Sequence, residues 1–216
     1  MKIALIGASG FVGSAILKEA LDRGHSLTAI ARDIRKIKAQ NNLKIVEGDV
    51  KDTDSLAKIL KGNDVVVSAY NAGWTNPDLY NEFIKGSESI QEAVKKSGVQ
   101  RLIINGGAGS LYVAPNVQLM DTPEFPEAFK AGAGAARDYL NILKKEDQLD
   151  WTFVSPAIEM NPGSAHERKG SYRTGLDNPV FDADHRSRIS VEDLAVAIVD
   201  EVENPKHINE RFTVAY

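Results

Sequence analysis

The residues whose type and spacing most plainly invite chemistry are the three glycines of Gly7-Ala8-Ser9-Gly10-Phe11-Val12-Gly13. Backbone without side chains can come close to an anion. A helix opening at such a turn adds unpaired N–H groups and the positive end of its dipole. The chemistry this suits is the grip of a phosphate. The elements that must position the turn are legible on either side. Ile3 to Ile6 is an apolar run ending at Gly7 and reads as a buried parallel strand. Phe11, Val12, Ala15, Ile16, Ala20 and Leu21 fall at helical spacing, and Gly24 stands where a left-handed residue would end the helix. Leu27 to Ala31 is a second strand. Strand, glycine turn, helix and strand form the first half of a dinucleotide-binding unit. In it Gly7 makes the tight turn, Gly10 lets the backbone approach a pyrophosphate, and Gly13 lets helix and strand pack closely. The first gap is one residue longer than in the usual fingerprint. Ser9, Phe11 and Val12 share the turn and join the expected cofactor contacts.

The ends of the later strands carry the other candidates. Ala31 is followed by Arg32, Asp33, Arg35 and Lys36. At this tip a carboxylate would bind the ribose 2′-OH of NAD, whereas an arginine accommodates the 2′-phosphate of NADP. Arg32 is at the tip and Asp33 one residue beyond, which favours NADP over NAD. The same residues also fit the solvated face of a short helix capped by Asp33. A third strand, Leu43 to Glu47, ends in Gly48-Asp49-Val50, so Asp49 is expected to accept from the adenine amino group and Val50 to pack on its ring. A fourth, Val65 to Val67, opens into Ser68-Ala69-Tyr70. Ser68 and Ala69 are small enough for the pyrophosphate and nicotinamide ribose to pass. Tyr70 and Trp74 suit either the cover of a planar ring or packing at the loop root. After a helix over 76–97 and a fifth strand over 101–105, Gly106-Gly107-Ala108-Gly109-Ser110 would let a nicotinamide and a second flat ligand lie against backbone. Residues 112–126 read as a long functional loop, and 127–147 as a helix weakened by Gly132 and Gly134. A sixth strand runs to Ser155-Pro156, residues 157–190 form a small cap on the substrate side, and a helix over 191–203 precedes a last strand over 212–215.

A chain of 216 residues, 43% of them apolar and 26% charged, suits one α/β domain over 1–216: a doubly wound parallel sheet with a small C-terminal cap. The net charge of −4 offers no basic surface to nucleic acid or anionic lipid. Without cysteine there is no disulfide, thiolate zinc site or cysteine nucleophile, and His25, His166, His185 and His207 lack metal-ligand spacing. The first apolar run is too short for a signal peptide, and no run of about 18 apolar residues spans a membrane. The expectation is a cytoplasmic protein, monomer or homodimer, acting on a small molecule.

With these motifs in view, the chain resembles the atypical short-chain dehydrogenase/reductase group that includes NmrA-like proteins, flavin/biliverdin reductases and bacterial NADH-flavin reductases. The likeness is carried by the glycine turn, Ala31-Arg32-Asp33, Glu47-Gly48-Asp49-Val50, Gly106 to Ser110, Ser155-Pro156 and Ile189-Ser190-Val191-Glu192-Asp193-Leu194-Ala195. It implies a Rossmann fold, NADP as cofactor, Arg32 at the 2′-phosphate, Asp49 and Val50 at adenine, and Ser155 and Pro156 at the cofactor.

One motif of the larger group is missing. Its alcohol dehydrogenases use a tyrosine with a lysine four residues on, which lowers the tyrosine pKa for proton transfer. Here Tyr70, Tyr80, Tyr112, Tyr139 and Tyr172 are followed at that distance by Trp74, Ile84, Asn116, Leu143 and Leu176. Reduction of a flavin such as FMN avoids the requirement, because stacked rings pass hydride directly and water can supply the proton. The expected activity is hydride transfer from NADPH to a flavin, quinone or similar flat acceptor, with Ser110 and Tyr112 as proton donor or substrate contacts. His166 and His185 could also reach a substrate. The alternatives are a non-catalytic NADP sensor and, third, an epimerase or dehydratase.

Overall fold

The computed structural model describes residues 1–164 and 167–216, so the expectation for His166 lies outside the described residues. The chain begins with β1 (Lys2–Ile6), α1 (Phe11–Asp22), β2 (Ser26–Ala31), β3 (Leu43–Glu47), α2 (Thr53–Leu60) and β4 (Val65–Ser68). It continues with α3 (Leu79–Ser97), β5 (Arg101–Asn105), the short strands β6 (Tyr112–Ala114) and β7 (Val117–Gln118), and α4 (Glu127–Leu143). The last elements are β8 (Asp150–Ser155), β9 (Arg173–Gly175), α5 (Val191–Glu203) and β10 (Glu210–Ala215).

One eight-stranded sheet runs in the order β3-β2-β1-β4-β5-β8-β10-β9, and every pairing is parallel except that of β10 with β9. The winding reverses between β1 and β4, so the chain leaves the sheet on opposite sides at that point and opens a crevice above the strand ends. The central strands are apolar on both faces because both are covered. Ile3, Leu5, Val65, Val67 and Ile103 face α1 and α5, whereas Ala4, Ile6, Val66, Leu102 and Ile104 face α2, α3 and α4. This is the doubly wound Rossmann architecture expected from the sequence.

Several helix ends follow the chemistry of their residues. Asp52 caps α2 by accepting from the Ser55 N–H, Ser190 caps α5 through the Asp193 N–H, and Gly98 ends α3 at φ +79°. The loop expected over 112–126 is shorter than it read, since β6 and β7 form a hairpin and residues 119–121 a 3-10 turn. Within the segment expected to be a cap, β9 extends the main sheet antiparallel to β10. In the same segment Arg168 grips Glu19 of α1 through two hydrogen bonds of 2.9 and 3.0 Å, and Asp177 pairs with the buried Arg211 of β10. Among the described residues no helix is long and apolar enough to cross a membrane.

Candidate functional site

At the crevice the backbones of β1, α1 and β4 touch. Gly7 has φ +77°, and a Cβ on it would stand 2.6 Å from the Ala69 carbonyl oxygen. A Cβ on Gly13 would stand 2.1 Å from the Gly7 carbonyl oxygen. Neither clash is with a side chain that could move aside, so the turn exists only with glycine at both positions. Gly10 is exposed and precedes the first turn of α1, which carries no acidic side chain and no side-chain cap. The positive end of this helix therefore faces the crevice without an internal counter-charge.

A groove of about 300 Å³ runs from this turn across the tips of β2 and β3. Arg32, Asp33 and Lys36 line its β2 side, and Gly48, Asp49, Val50 and Lys51 its β3 side. Asp33 is already paired within the chain. Its carboxylate takes two hydrogen bonds from the Arg35 guanidinium, at 2.8 and 3.0 Å, and one from the Arg35 N–H at 3.1 Å. The Arg35 contacts hold its pKa down at about 2. The exposed Arg32, by contrast, forms no hydrogen bond or ion pair with any described residue. Asp49 accepts from the Lys51 N–H at 3.0 Å, which orients its carboxylate at the groove wall.

The far wall is built by the loop after β4 and the start of α3. Tyr70 stacks on Phe83 with ring centroids 5.9 Å apart, and its hydroxyl donates to the Glu82 carbonyl at 3.0 Å. Burial raises the Tyr70 pKa, so the phenol stays protonated. Glu82 pairs with Lys51 across the groove edge, and this pairing raises the Lys51 pKa.

Of the residues expected at a cofactor, Gly7, Ser9, Gly10, Arg32, Asp49, Val50, Ala69 and Tyr70 meet along this one groove. Phe11 and Val12 are half-buried on the first turn of α1 beside it. Ser68 is buried, with Oγ accepting from the Tyr70 N–H at 3.4 Å, so it shapes the loop from beneath. Gly106 and Gly107 follow β5, and Ser155 and Pro156 end β8, beyond the groove's lining. A Cβ on Gly106 would stand 1.9 Å from the Phe153 ring, which gives that glycine a packing role. Two polar atoms buried at these neighbouring strand ends, Asn105 Oδ1 and Ser155 Oγ, lack a hydrogen-bond partner among the described residues.

The expectation that Ser110 offers its hydroxyl to a substrate needs correction. Ser110 is 2% exposed, and its Oγ and carbonyl both accept from Arg211 Nη1 at 3.0 Å. A buried cation needs such acceptors, and the serine supplies them. Tyr112 is half-buried on β6, its N–H donating to the Asp177 carbonyl at 2.8 Å, and it borders a shallow hollow with Pro115 and Asn178. His185 sits in an exposed turn at φ +55° and does not line the groove. Lys51, Asn71, Asn76 and Glu82 were not anticipated as lining residues. Lys51 could have been found from its place just after Asp49-Val50. Glu82 enters only through the crossover that lays α3 beside β3's tip.

The loops after β4 and β5 rest on an unusual surface. Ala131-Gly132-Ala133-Gly134-Ala135-Ala136 makes one stretch of α4 nearly free of side chains. Two loops lean on it: the Trp74 ring lies against Gly132, and a Cβ on Gly109 would stand 2.8 Å from Ala133 Cβ. Gly132, a helix glycine that weakens α4 by about 1 kcal/mol, therefore admits the Trp74 loop, whereas a Cβ on Gly134 would make only ordinary contact with Met120 Cε at 3.5 Å.

The chain matches the NAD(P)H-binding family over residues 7–205, from the first glycine of the turn to just past α5. It belongs to this family. YwnB of Bacillus subtilis, an uncharacterized protein, is 42% identical over 216 residues, covering 99% of this chain and 98% of its own. A solved structure from Bacteroides thetaiotaomicron, described as an epimerase, is 49% identical with a TM-score of 0.91, covering 100% of this chain and 96% of its own. Another from Streptococcus pneumoniae, described as an NADH-flavin reductase, is 37% identical with a TM-score of 0.88, covering 100% of this chain and 99% of its own. The groove fits the family's nucleotide in two ways, a glycine turn without room for a Cβ and an uncapped helix start, and beyond its lining the β5 and β8 ends carry two buried polar atoms without partners among the described residues.

Proposed function

We propose that this NAD(P)H-binding protein is an NADPH-dependent reductase of a flavin, quinone or similar flat acceptor. The observation that carries the reading is the contrast at the β2 tip, where Asp33 is paired with Arg35 while Arg32 has no hydrogen-bond or ion-pair partner among the described residues. A guanidinium beside Lys36 with no partner among the described residues favours a 2′-phosphate, and a carboxylate already bonded to Arg35 competes less well for the 2′-OH that marks NAD. The α1 start holds the pyrophosphate, Asp49 takes the adenine amino group, and Val50 packs on the base. Asn105 and Ser155 suit the polar edge of a nicotinamide, and Gly106, Gly107 and Pro156 keep its surroundings close and dry.

When bound, NADPH supplies the hydride and solvent water the proton, so the chain need only hold two rings at reacting distance. Positioning of this kind is worth up to about 7–11 kcal/mol in favourable cases. The lack of a Tyr-x-x-x-Lys pair is compatible with this chemistry and speaks against epimerisation by that route. Residues 157–190 serve the acceptor side as a cap by proxy, since Asp177 and Asn178 hold Tyr112 in place. Tyr112, half-buried at that border, is then the side chain available for an acceptor hydrogen bond.

The test is NADPH consumption by the purified protein with and without FMN, with NADH in parallel. FMN-dependent turnover that prefers NADPH supports the reductase. A second reading, an NADP sensor that turns nothing over, draws on the exposed Val113 and Val117 of the hairpin, an apolar surface a protein partner could cover. Binding of both nucleotides with no consumption in the presence of FMN or a quinone would put that reading first.

A further inference from the structure

Trp74 is 59% exposed, yet it is not loosely held. Its indole lies so close to α4 that a Cβ on Gly132 would stand 2.7 Å from Cζ3 and 3.0 Å from Cη2. Phe129, 49% exposed, meets it edge-on with centroids 5.6 Å apart and planes at 79°. The loop that carries it is braced on both sides. Asn71 Oδ1 accepts from the Gly73 N–H at 2.7 Å, and Asn76 accepts from the Asp78 N–H at 3.0 Å. A helix normally excludes glycine from its interior, and an indole is normally buried. Here a helix position is emptied so that the Cζ3–Cη2 edge of an indole can come against it while much of the residue stays exposed.

The position of this ring along the chain decides its use. Ala72 and Asn76, two residues to either side of Trp74, both line the nucleotide groove, and the stretch of α4 that takes the indole at Gly132 also takes the Gly109 loop at Ala133, so the ring shares one helix surface with the loop after β5 while its own loop walls the groove. A rigid, partly exposed aromatic face beside a cofactor groove offers offset stacking to another flat ring. The geometry points to Trp74 as the platform on which the planar ring of the acceptor stacks, with Phe129 as the edge that limits its slide. This deepens the reductase reading and rests on it for the identity of the ligand as a flat, electron-poor ring system.

The probes are FMN and menadione. Two measurements are made on wild type, Trp74→Ala, Trp74→Phe and Gly132→Ala: the Kd of each probe for NADP⁺-loaded protein by calorimetry, and steady-state KM for FMN and NADPH. Stacking on a protein aromatic is a contact of substantial strength. Trp74→Ala should raise the FMN Kd and KM about 5- to 50-fold while the NADPH KM moves less than about twofold. Trp74→Phe should restore most of the loss, and Gly132→Ala, which displaces the indole without removing it, should fall between. An FMN Kd unchanged in Trp74→Ala overturns the platform even if the enzyme turns over. Probe binding that depends on Trp74 without NADPH consumption upholds the platform and overturns the reductase. If neither probe binds wild type, or if Trp74→Ala instead converts a dimer to a monomer in sedimentation with probe binding intact, the platform is overturned.

Discussion

The region around the glycine turn and the region around the β5, β8 and β9 ends are built on opposite terms. Around β1, β2 and β3, backbone touches backbone and the charged groups are sorted in advance: Asp33 is taken by Arg35, Arg32 is left open, and the start of α1 carries no competing acid. Around β5, β8 and β9 the polar groups are engaged with one another. Ser110 serves Arg211, Arg211 serves Asp177, and Asp177 and Asn178 hold the backbone of Tyr112. What stands open at that end is aromatic and small. A site that recognises charge on one side and shape on the other is organised to bind and align. It contains no acid-base pair of the alcohol dehydrogenase kind.

The comparison breaks first at Gly13. Gly13→Val puts a side chain into the Gly7 carbonyl, and overpacking of this kind costs about 1–3 kcal/mol or more. The expected result is a melting temperature lowered by roughly 2–4 °C per kcal/mol, together with loss of both nucleotides. Retained NADPH binding in calorimetry would show that the turn is looser than its contacts imply.

Arg32→Ala tests the sorting of charge. Loss of a charge-assisted contact should weaken NADPH binding by about 10- to 100-fold and leave NADH nearly unchanged. Equal loss for both nucleotides, read from KM values in parallel assays, would remove Arg32 from the 2′-phosphate.

The outer frame of the site has its own pH signature. Glu19, buried on α1, has its pKa lowered chiefly by the Arg168 hydrogen bonds, with Arg23 adding to the effect. A carboxylate lowered in the folded state stabilises it above the unfolded value of about 4.3, and that contribution is lost as pH falls through the folded value. Glu19→Gln should therefore cost about 1–2 kcal/mol at pH 7, discounted for the half-exposed Arg168, and the gap from wild type in urea midpoints should close towards pH 3. A gap that persists at pH 3 would assign the effect to packing.

The smallest effect on turnover is expected at Ser110. Ser110→Ala leaves Arg211 with one acceptor fewer, a loss of about 1–3 kcal/mol in stability, while kcat with FMN stays within about twofold. A fall in kcat of a hundredfold with unchanged melting would return Ser110 to the reaction.

Much of the region around the glycine turn was legible from the residues because its signals are local. The glycine turn, the β2 tip and Gly48-Asp49-Val50 each follow a strand readable from its apolar run, and a Rossmann winding places such strand ends together. The cap at Asp33 was legible too: Asp33 caps the short turn and pairs with Arg35, while Arg32 keeps no partner among the described residues. The rest was less legible because its meaning lies in contacts between distant residues. Gly132 read as a weak point in a helix until Trp74 was found lying on it. Ser110 read as a hydroxyl near the nicotinamide until Arg211, 101 positions away, was found to use it.

By itself, then, the sequence determined the strand and helix order, the phosphate-gripping turn and the class of nucleotide, since periodicity and glycine placement act over a few residues. Only the tertiary structure decided which charges stay free, which hydroxyls are consumed and which aromatic stays exposed. Those outcomes depend on desolvation and on partners brought together by the crossovers, and neither is encoded in the spacing of neighbouring residues.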